Sequence, residues 1–169
     1  ITLVALVVTI VVLLILAGYL SGSVLYAKIF GYMFRHKDIT TGTKDENPGT
    51  ANAFMQGGAM CGMCTLVFEL LKGFAPVYIY QRMFMPLENG DMGLICILIA
   101  PVLGHIFPVF SGFKGGKGIA VTFGCLLGCA PDIYAALVLA FFFILFSLII
   151  HIYPHYYRTL ATYFFTTIM

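Results

Sequence analysis

The sequence predicts an all-α integral membrane protein, a polytopic helix bundle of about six helical segments with short or broken helices around a site at one membrane face. Three observations predict it. Of 169 residues, 61% are hydrophobic and 9% charged, and mean hydropathy is +1.00, far from soluble usage. Uncharged stretches recur at the ~20 residues that a helix needs to cross a bilayer core of about 30 Å. Polar residues collect in short junctions between those stretches, so residues 1–169 read as a single polytopic membrane domain. The net charge of +2 comes from dispersed basic residues and gives no case for a nucleic-acid partner.

Residues 1–27 precede the first charge, Lys28. That run is too long for a signal-peptide core and lacks its basic flank, so it predicts a first span. Residues 35–46, Arg-His-Lys-Asp-Ile-Thr-Thr-Gly-Thr-Lys-Asp-Glu, are the most polar stretch and belong outside the lipid. From Asn47 charge vanishes until Glu69, and the apolar pattern runs to about Tyr80, a second span. Residues 81–91, with Pro86 and Asn89-Gly90, predict a turn.

Residues 92–113 hold no Asp, Glu, Lys or Arg and predict a third span interrupted by Pro101 and Pro108. Residues 118–130 would make a helix of only ~20 Å, too short to cross unaided. Pro131-Asp132 predicts a turn, residues 133–153 a fifth span, and residues 151–158 a polar junction. The last eleven residues begin a helix too short to span. The natural protein is therefore expected to continue past Met169, and the opening without methionine suggests trimming or a fragment.

Lysine and arginine set the orientation. Three fall in 35–46, two at Lys114 and Lys117, and one at Arg158, all on one side if the segments alternate; the other side has Arg82 with Glu88 and Asp91. The basic side is expected to be cytoplasmic, with the N-terminus outside. The first loop and the lysine turn then lie at one face and can share a site.

Residues 104–118 read Gly-His-Ile-Phe-Pro-Val-Phe-Ser-Gly-Phe-Lys-Gly-Gly-Lys-Gly. Gly115, Gly116 and Gly118 would let backbone N–H groups approach a phosphate, and Lys114 and Lys117 add charge where water is scarce. The bland alternative is a solvated loop with ordinary inside-positive lysines. It is not a Walker A loop, because Ser111 and Gly118 stand where Gly and Ser or Thr are required. Glu69 and Lys72, three apart on one helix face within an apolar span, are costly to insert and so are candidate functional residues or a structural ion pair. His105 is a candidate general base or donor, or a buried histidine bonded to a neighbouring helix. Asn47, Gly49, Thr50 and Asn52 form a polar turn that would bind substrate hydroxyls or cap a helix.

Cys61 and Cys64 have metal-pair spacing but no second pair, so they and Cys96, Cys125 and Cys129 read as packing residues. His151 and His155 lie at i, i+4 without an acidic third ligand, an interfacial pair. No metal and no cofactor is implied.

The block from Gly104 to Phe110, followed by Phe113-Lys114-Gly115-Gly116-Lys117-Gly118-Ile119-Ala120, closely resembles the third signature loop of the bacterial acyl-phosphate-dependent glycerol-3-phosphate acyltransferases, the PlsY family. Asn47-x-Gly49-x-x-Asn52 resembles the end of that family's first loop, Glu69-x-x-Lys72-Gly73 its Asp-x-x-Lys-Gly motif, and Gly22-Ser23 the small pair ending its first helix. The likeness covers roughly residues 18–130.

The resemblance implies a bundle, typically of seven helices, in the bacterial plasma membrane. The enzyme would move a fatty acyl group from acyl phosphate to the 1-hydroxyl of glycerol 3-phosphate, giving lysophosphatidic acid and phosphate for phospholipid synthesis. Membrane lipid and other phospholipid-synthesis enzymes are its implied partners. Acyl phosphate is already activated, so no serine or cysteine nucleophile is demanded. In this reading Lys114, Lys117 and the glycines hold one phosphate and Lys72, oriented by Glu69, the other. Asn47, Thr50 and Asn52 position the glycerol, and His105 or a substrate phosphate takes the proton. The His-x4-Asp motif of other glycerophosphate acyltransferases is absent, since Phe110 stands five residues after His105.

The chain departs from the family in its first loop. Thr40 follows Asp38-Ile39 where the family usually has arginine, leaving Arg35 or Lys44 to substitute against Asp45 and Glu46. Two other classes compete: a transporter or binding protein for a small phosphorylated solute, and an inactive homologue that binds a lipid-synthesis partner. Inverted repeats would favour transport, and the two halves show none beyond shared glycine.

Overall fold

The computed structural model describes residues 2–43, 46–84 and 91–169. Its regular elements are α1 (Thr2–Gly22), α2 (Tyr26–Arg35), α3 (Thr50–Gly57), α4 (Ala59–Phe84), α5 (Met92–Ile106), a 3-10 turn at Val109–Ser111, α6 (Ile119–Leu127), α7 (Tyr134–Ile144) running into a π-helical Leu145–Ile149, and α8 (His155–Ile168). Among the described residues, Thr2–Arg35, Ala59–Phe84 and Met92–Ser111 are long and apolar enough to cross a membrane. With α1 and α2, and α3 and α4, taken as broken pairs, the expected six segments are recovered.

The breaks are informative. The first span yields at Ser23-Val24-Leu25, not after Ala27, and α2 then carries Lys28 within a helix. Gly58, at φ 85°, separates α3 from α4, so the segment read as one span from Asn47 is two helices. α4 also runs past Tyr80, the expected end, to Phe84. Tyr80 donates to the Asp91 carboxylate at 3.0 Å, and Asp91 caps α5 by accepting from the N–H groups of Gly93 and Leu94. One carboxylate therefore joins α4 to the start of α5. Pro86, Glu88, Asn89 and Gly90 lie outside the described residues, as do Lys44 and Asp45.

The third segment breaks at one proline, not two. α5 passes through buried Pro101 and ends at Ile106, because Pro108 disfavours helical geometry in the residue before it. At the far end, His155–Arg158 is the first turn of α8 and not a junction. His151, at φ 52°, precedes Pro154 and lies outside that helix, so the two histidines do not share a helical face.

α1, α4, α5 and α6 meet in a core of Val77, Tyr80, Ile97, Val121 and Cys125, flanked by Val11, Leu14, Ile15 and Val102. A second core joins Ala27, Ile39, Ala53 and Cys61 under the first loop. Cys61 and Cys125 are thus packing residues, as the sequence predicts. Small residues allow the crossings: Gly104 lies against the Tyr19 carbonyl, Gly22 against the backbone of Pro101, and Gly73 against the Val121 carbonyl. Such close backbone approach supports helix association where lipid tails remove the usual hydrophobic drive. The α1–α5 crossing fixes the height of His105, and the α4–α6 crossing fixes that of Lys72.

Candidate active site

The break between α1 and α2 leaves backbone groups without helical partners, which is costly at membrane depth unless other groups meet them. Two charged side chains of α4 do so. Lys72 Nζ donates to the Val24 carbonyl at 2.6 Å, and the Tyr26 N–H donates to Glu69 Oε1 at 3.2 Å. The i, i+3 spacing on α4 brings Lys72 Nζ to 2.8 Å from Glu69 Oε2. From α5, His105 Nδ1 approaches the same oxygen at 3.0 Å, and Lys72 Nζ and His105 Nδ1 are themselves 3.0 Å apart. Glu69, Lys72 and His105 are 1%, 4% and 3% exposed.

His105 Nδ1 is turned into the cluster, 3.0 Å from both the Lys72 ammonium and the Glu69 carboxylate, which leaves Nε2 on the side of the glycine–lysine loop. The cluster ties α4 to the α1–α2 break and to α5. Lys72, expected to hold a phosphate, has its ammonium enclosed by Val24, Glu69 and His105. In this structure it is the buried counter-charge of Glu69.

Beyond α5 the chain doubles back. The Gly116 N–H donates to the His105 carbonyl at 3.0 Å, so the glycine–lysine loop lies over the histidine that precedes it. A Cβ on Gly116 would overlap His105 Nε2 and come within 3.0 Å of Asn47 Oδ1. Nε2, Gly116 and the Asn47 side chain therefore meet at one point, where the first loop and the glycine–lysine loop come together. The Gly116 N–H is engaged by the His105 carbonyl, and the missing side chain allows this close approach. Gly118 takes φ 74°, a left-handed conformation suited to glycine, and opens α6 without a side-chain cap. Lys117 is half-buried at this turn, whereas Lys114 is exposed.

The first loop is tied from within. Asn52, 4% exposed, donates to the Asn47 carbonyl at 2.8 Å and to Thr43 Oγ1 at 3.3 Å. One amide proton goes to the Asn47 carbonyl and the other to Thr43, so Asn52 ties together the loop on which Asn47 stands. Thr50 Oγ1, at the start of α3, is buried without a hydrogen-bond partner. Gly49 packs against the Asn47 amide. Arg35 donates to the Gly57 carbonyl at 2.9 Å at the α3–α4 break, which keeps it from replacing the missing loop arginine. Thr40, standing in that arginine's place, donates to Asp38 through Oγ1 at 2.6 Å and through its N–H at 2.9 Å, and Lys28 lies 3.7 Å from the same carboxylate. Burial pushes the Asp38 carboxyl up, but the Thr40 bonds and the Lys28 charge outweigh it and hold the group below the ordinary aspartate value.

A groove of about 390 Å³ opens beside Lys117, lined by Leu98, Ile99, Val102, Leu103 and Ile106 of α5, Thr122, Cys125 and Leu126 of α6, and Tyr163 of α8. Its lining is almost wholly apolar apart from Lys117 and two hydroxyls. Sequence reading passed over Thr122 and Tyr163, since single hydroxyls in apolar helices commonly bond their own backbone.

Fold and site together define a class. This is a polytopic membrane protein in which a buried carboxylate–ammonium–imidazole cluster meets a glycine–lysine loop at the mouth of an apolar groove. A family model described as glycerol-3-phosphate acyltransferase matches residues 12–169, and the chain belongs to that family. A protein named glycerol-3-phosphate acyltransferase from Francisella tularensis subsp. holarctica (strain OSU18) is 40% identical over 118 residues, 68% of this chain and 54% of the relative. One of the same name from Pseudoalteromonas translucida (strain TAC 125) is 36% identical over 130 residues, 77% of this chain and 62% of the relative. The chain thus spans about half the length of the curated relatives it matches. The crystal structure of PlsY (YgiH), described as an integral membrane glycerol 3-phosphate acyltransferase in its glycerol 3-phosphate form, is similar with a TM-score of 0.78 and 25% identity. That match covers 94% of this chain and 74% of the other.

Proposed function

We propose that the protein transfers a fatty acyl group from acyl phosphate to the 1-hydroxyl of glycerol 3-phosphate, releasing lysophosphatidic acid and inorganic phosphate. The observation that carries this reading is the meeting of His105 Nε2, Asn47 and Gly116 beside Lys117, at the head of an apolar groove. A donor with an acyl chain and a phosphate needs an apolar channel ending at a cation. Lys117 and the uncapped start of α6 suit the donor phosphate. Asn47 and Thr50, whose hydroxyl lacks a partner, suit the glycerol. Lys114, exposed on the same loop, suits the arriving anion.

In the reaction the glycerol hydroxyl oxygen attacks the acyl carbonyl carbon. The carbon–oxygen bond to phosphate breaks, and phosphate leaves with the electron pair. The hydroxyl proton passes to His105 Nε2, and Glu69 stabilises the imidazolium that forms. Lys72 keeps Glu69 ionised as a buried partner. Cations and backbone dipoles near the loop stabilise negative charge growing on the carbonyl oxygen and the leaving phosphate.

The distribution of lysine and arginine supports a site facing the cytoplasm of a bacterial plasma membrane. Donor identity is the finer part of the proposal. The protein reconstituted in lipid should form lysophosphatidic acid from glycerol 3-phosphate and palmitoyl phosphate, with one phosphate released per product. Equal or better turnover with palmitoyl-coenzyme A, or phosphate release without acylated product, would contradict the reading.

A further inference from the structure

Two residues lining the groove beside Lys117, Thr122 and Tyr163, form a hydroxyl chain. Thr122 Oγ1 donates to the Gly118 carbonyl at 3.0 Å and lies 3.0 Å from the Tyr163 hydroxyl. A threonine hydroxyl has one proton, so Tyr163 is the donor in the second contact. The sequence Tyr163 to Thr122 to Gly118 therefore pins the α8 ring to the last glycine of the anion loop. Thr122 lies roughly 6 Å down α6 from Gly118, four residues at 1.5 Å each. Of the lining residues, Cys125 and Leu126 follow Thr122 along α6, and Leu98 and Ile99 lie on α5 about two turns from Ile106, which packs by Gly118.

We infer that the Tyr163–Thr122 bridge is a bar across the groove that sets how long an acyl chain the protein accepts, making Tyr163 a specificity-determining residue; this rests on the acyl-phosphate reading above. A chain whose head lies at Lys117 meets the bar before it reaches the deeper leucine and isoleucine surface. Chains that pass it must displace the ring and break a hydrogen bond in an apolar setting, where the hydroxyls gain no water in return. Short chains end above the bar and meet no such barrier. Each further methylene buried below it would be worth about fourfold in kcat/KM, and the closed bar withholds that gain.

The test measures kcat/KM for butanoyl, dodecanoyl and hexadecanoyl phosphate with the full chain reconstituted in lipid. The variants are Tyr163→Ala, Tyr163→Phe, Thr122→Val and, as a control at the cation, Lys117→Ala. The hexadecanoyl-to-butanoyl ratio is expected to rise at least about tenfold in Tyr163→Ala. Smaller and mutually equal rises are expected in Tyr163→Phe and Thr122→Val, which keep bulk and remove the bond. Lys117→Ala lowers all three donors alike. A bridge that only docks α8 would lower all three donors together in the Tyr163 and Thr122 variants, with the ratio unchanged. That result overturns the inference while leaving the acyltransferase reading in place. Absence of turnover with every donor in the unaltered protein would overturn both. If Tyr163→Ala does not fold, unchanged ratios in Tyr163→Phe and Thr122→Val overturn the inference by themselves.

Discussion

His105 Nδ1 lies 3.0 Å from Glu69 Oε2, and the 35 residues between them fold so that this one oxygen also lies 2.8 Å from Lys72 Nζ. The contact decides which face of the imidazole can do chemistry. With Nδ1 turned toward Glu69 and Lys72, Nε2 is the atom presented to Gly116 and Asn47. Replacing His105 with glutamine keeps a donor to Glu69 and removes the base. His105→Gln is expected to lower kcat by about 10²- to 10⁴-fold with a smaller change in KM, read from initial rates of lysophosphatidic acid formation.

The Glu69–Lys72 pair is buried, so removing either partner leaves an uncompensated charge. Lys72→Met and Glu69→Gln should each cost about 3–5 kcal/mol of stability, measured as unfolding in mild detergent. The double variant should lose less than the sum of the two, because it strands no charge. Additive losses would mean that the ammonium and carboxylate do not sense each other.

Gly116→Ala introduces a methyl group where His105 Nε2 already lies. Overpacking of this kind costs about 1–3 kcal/mol, while displacement of a reacting group by about 1 Å can cost 10²-fold in rate. The variant should therefore fold and bind lipid yet lose most of its turnover. Crystal or cryo-EM density for the variant should show the imidazole shifted away from the loop.

Asp38 is held below the ordinary aspartate value in the folded protein. A depressed carboxylate stabilises the fold above its unfolded pKa and loses that contribution as pH falls through its folded value. Melting temperature should thus fall on acidification below the ordinary aspartate range. Asp38→Asn should lower the melting temperature at neutral pH by a small amount and flatten the acid slope. An unchanged slope in Asp38→Asn would assign the acid sensitivity to another carboxyl group.

Much of this was readable from spacing. The i, i+3 spacing of Glu69 and Lys72 dictates a shared helix face, and glycines flanking Lys117 dictate a tight loop. The order of apolar segments likewise gave the helices, apart from their breaks at residues 23–25 and at Gly58. Local rules do not carry across the return of the chain over His105, however. Along a straight helix His105 stands about 13 Å from Lys114, and only the Pro108 turn brings the loop back onto the histidine. The contacts of Lys72 and Asn52 were hidden for the same reason. Both have the chemistry of substrate ligands, but their protons are used by Val24, Glu69, Asn47 and Thr43, partners that no local pattern reveals. The Thr122–Tyr163 bridge, 41 residues long in sequence, was equally invisible.

The most direct measurement is the rate at which the reconstituted protein forms lysophosphatidic acid from palmitoyl phosphate and glycerol 3-phosphate, compared with His105→Gln at equal lipid and protein. The account predicts product only when both substrates are present, phosphate released in equal amount, and a loss of at least about 10²-fold in the variant. Product formed at the same rate by both proteins would contradict it, because the buried carboxylate–histidine pair would then have no part in the transfer.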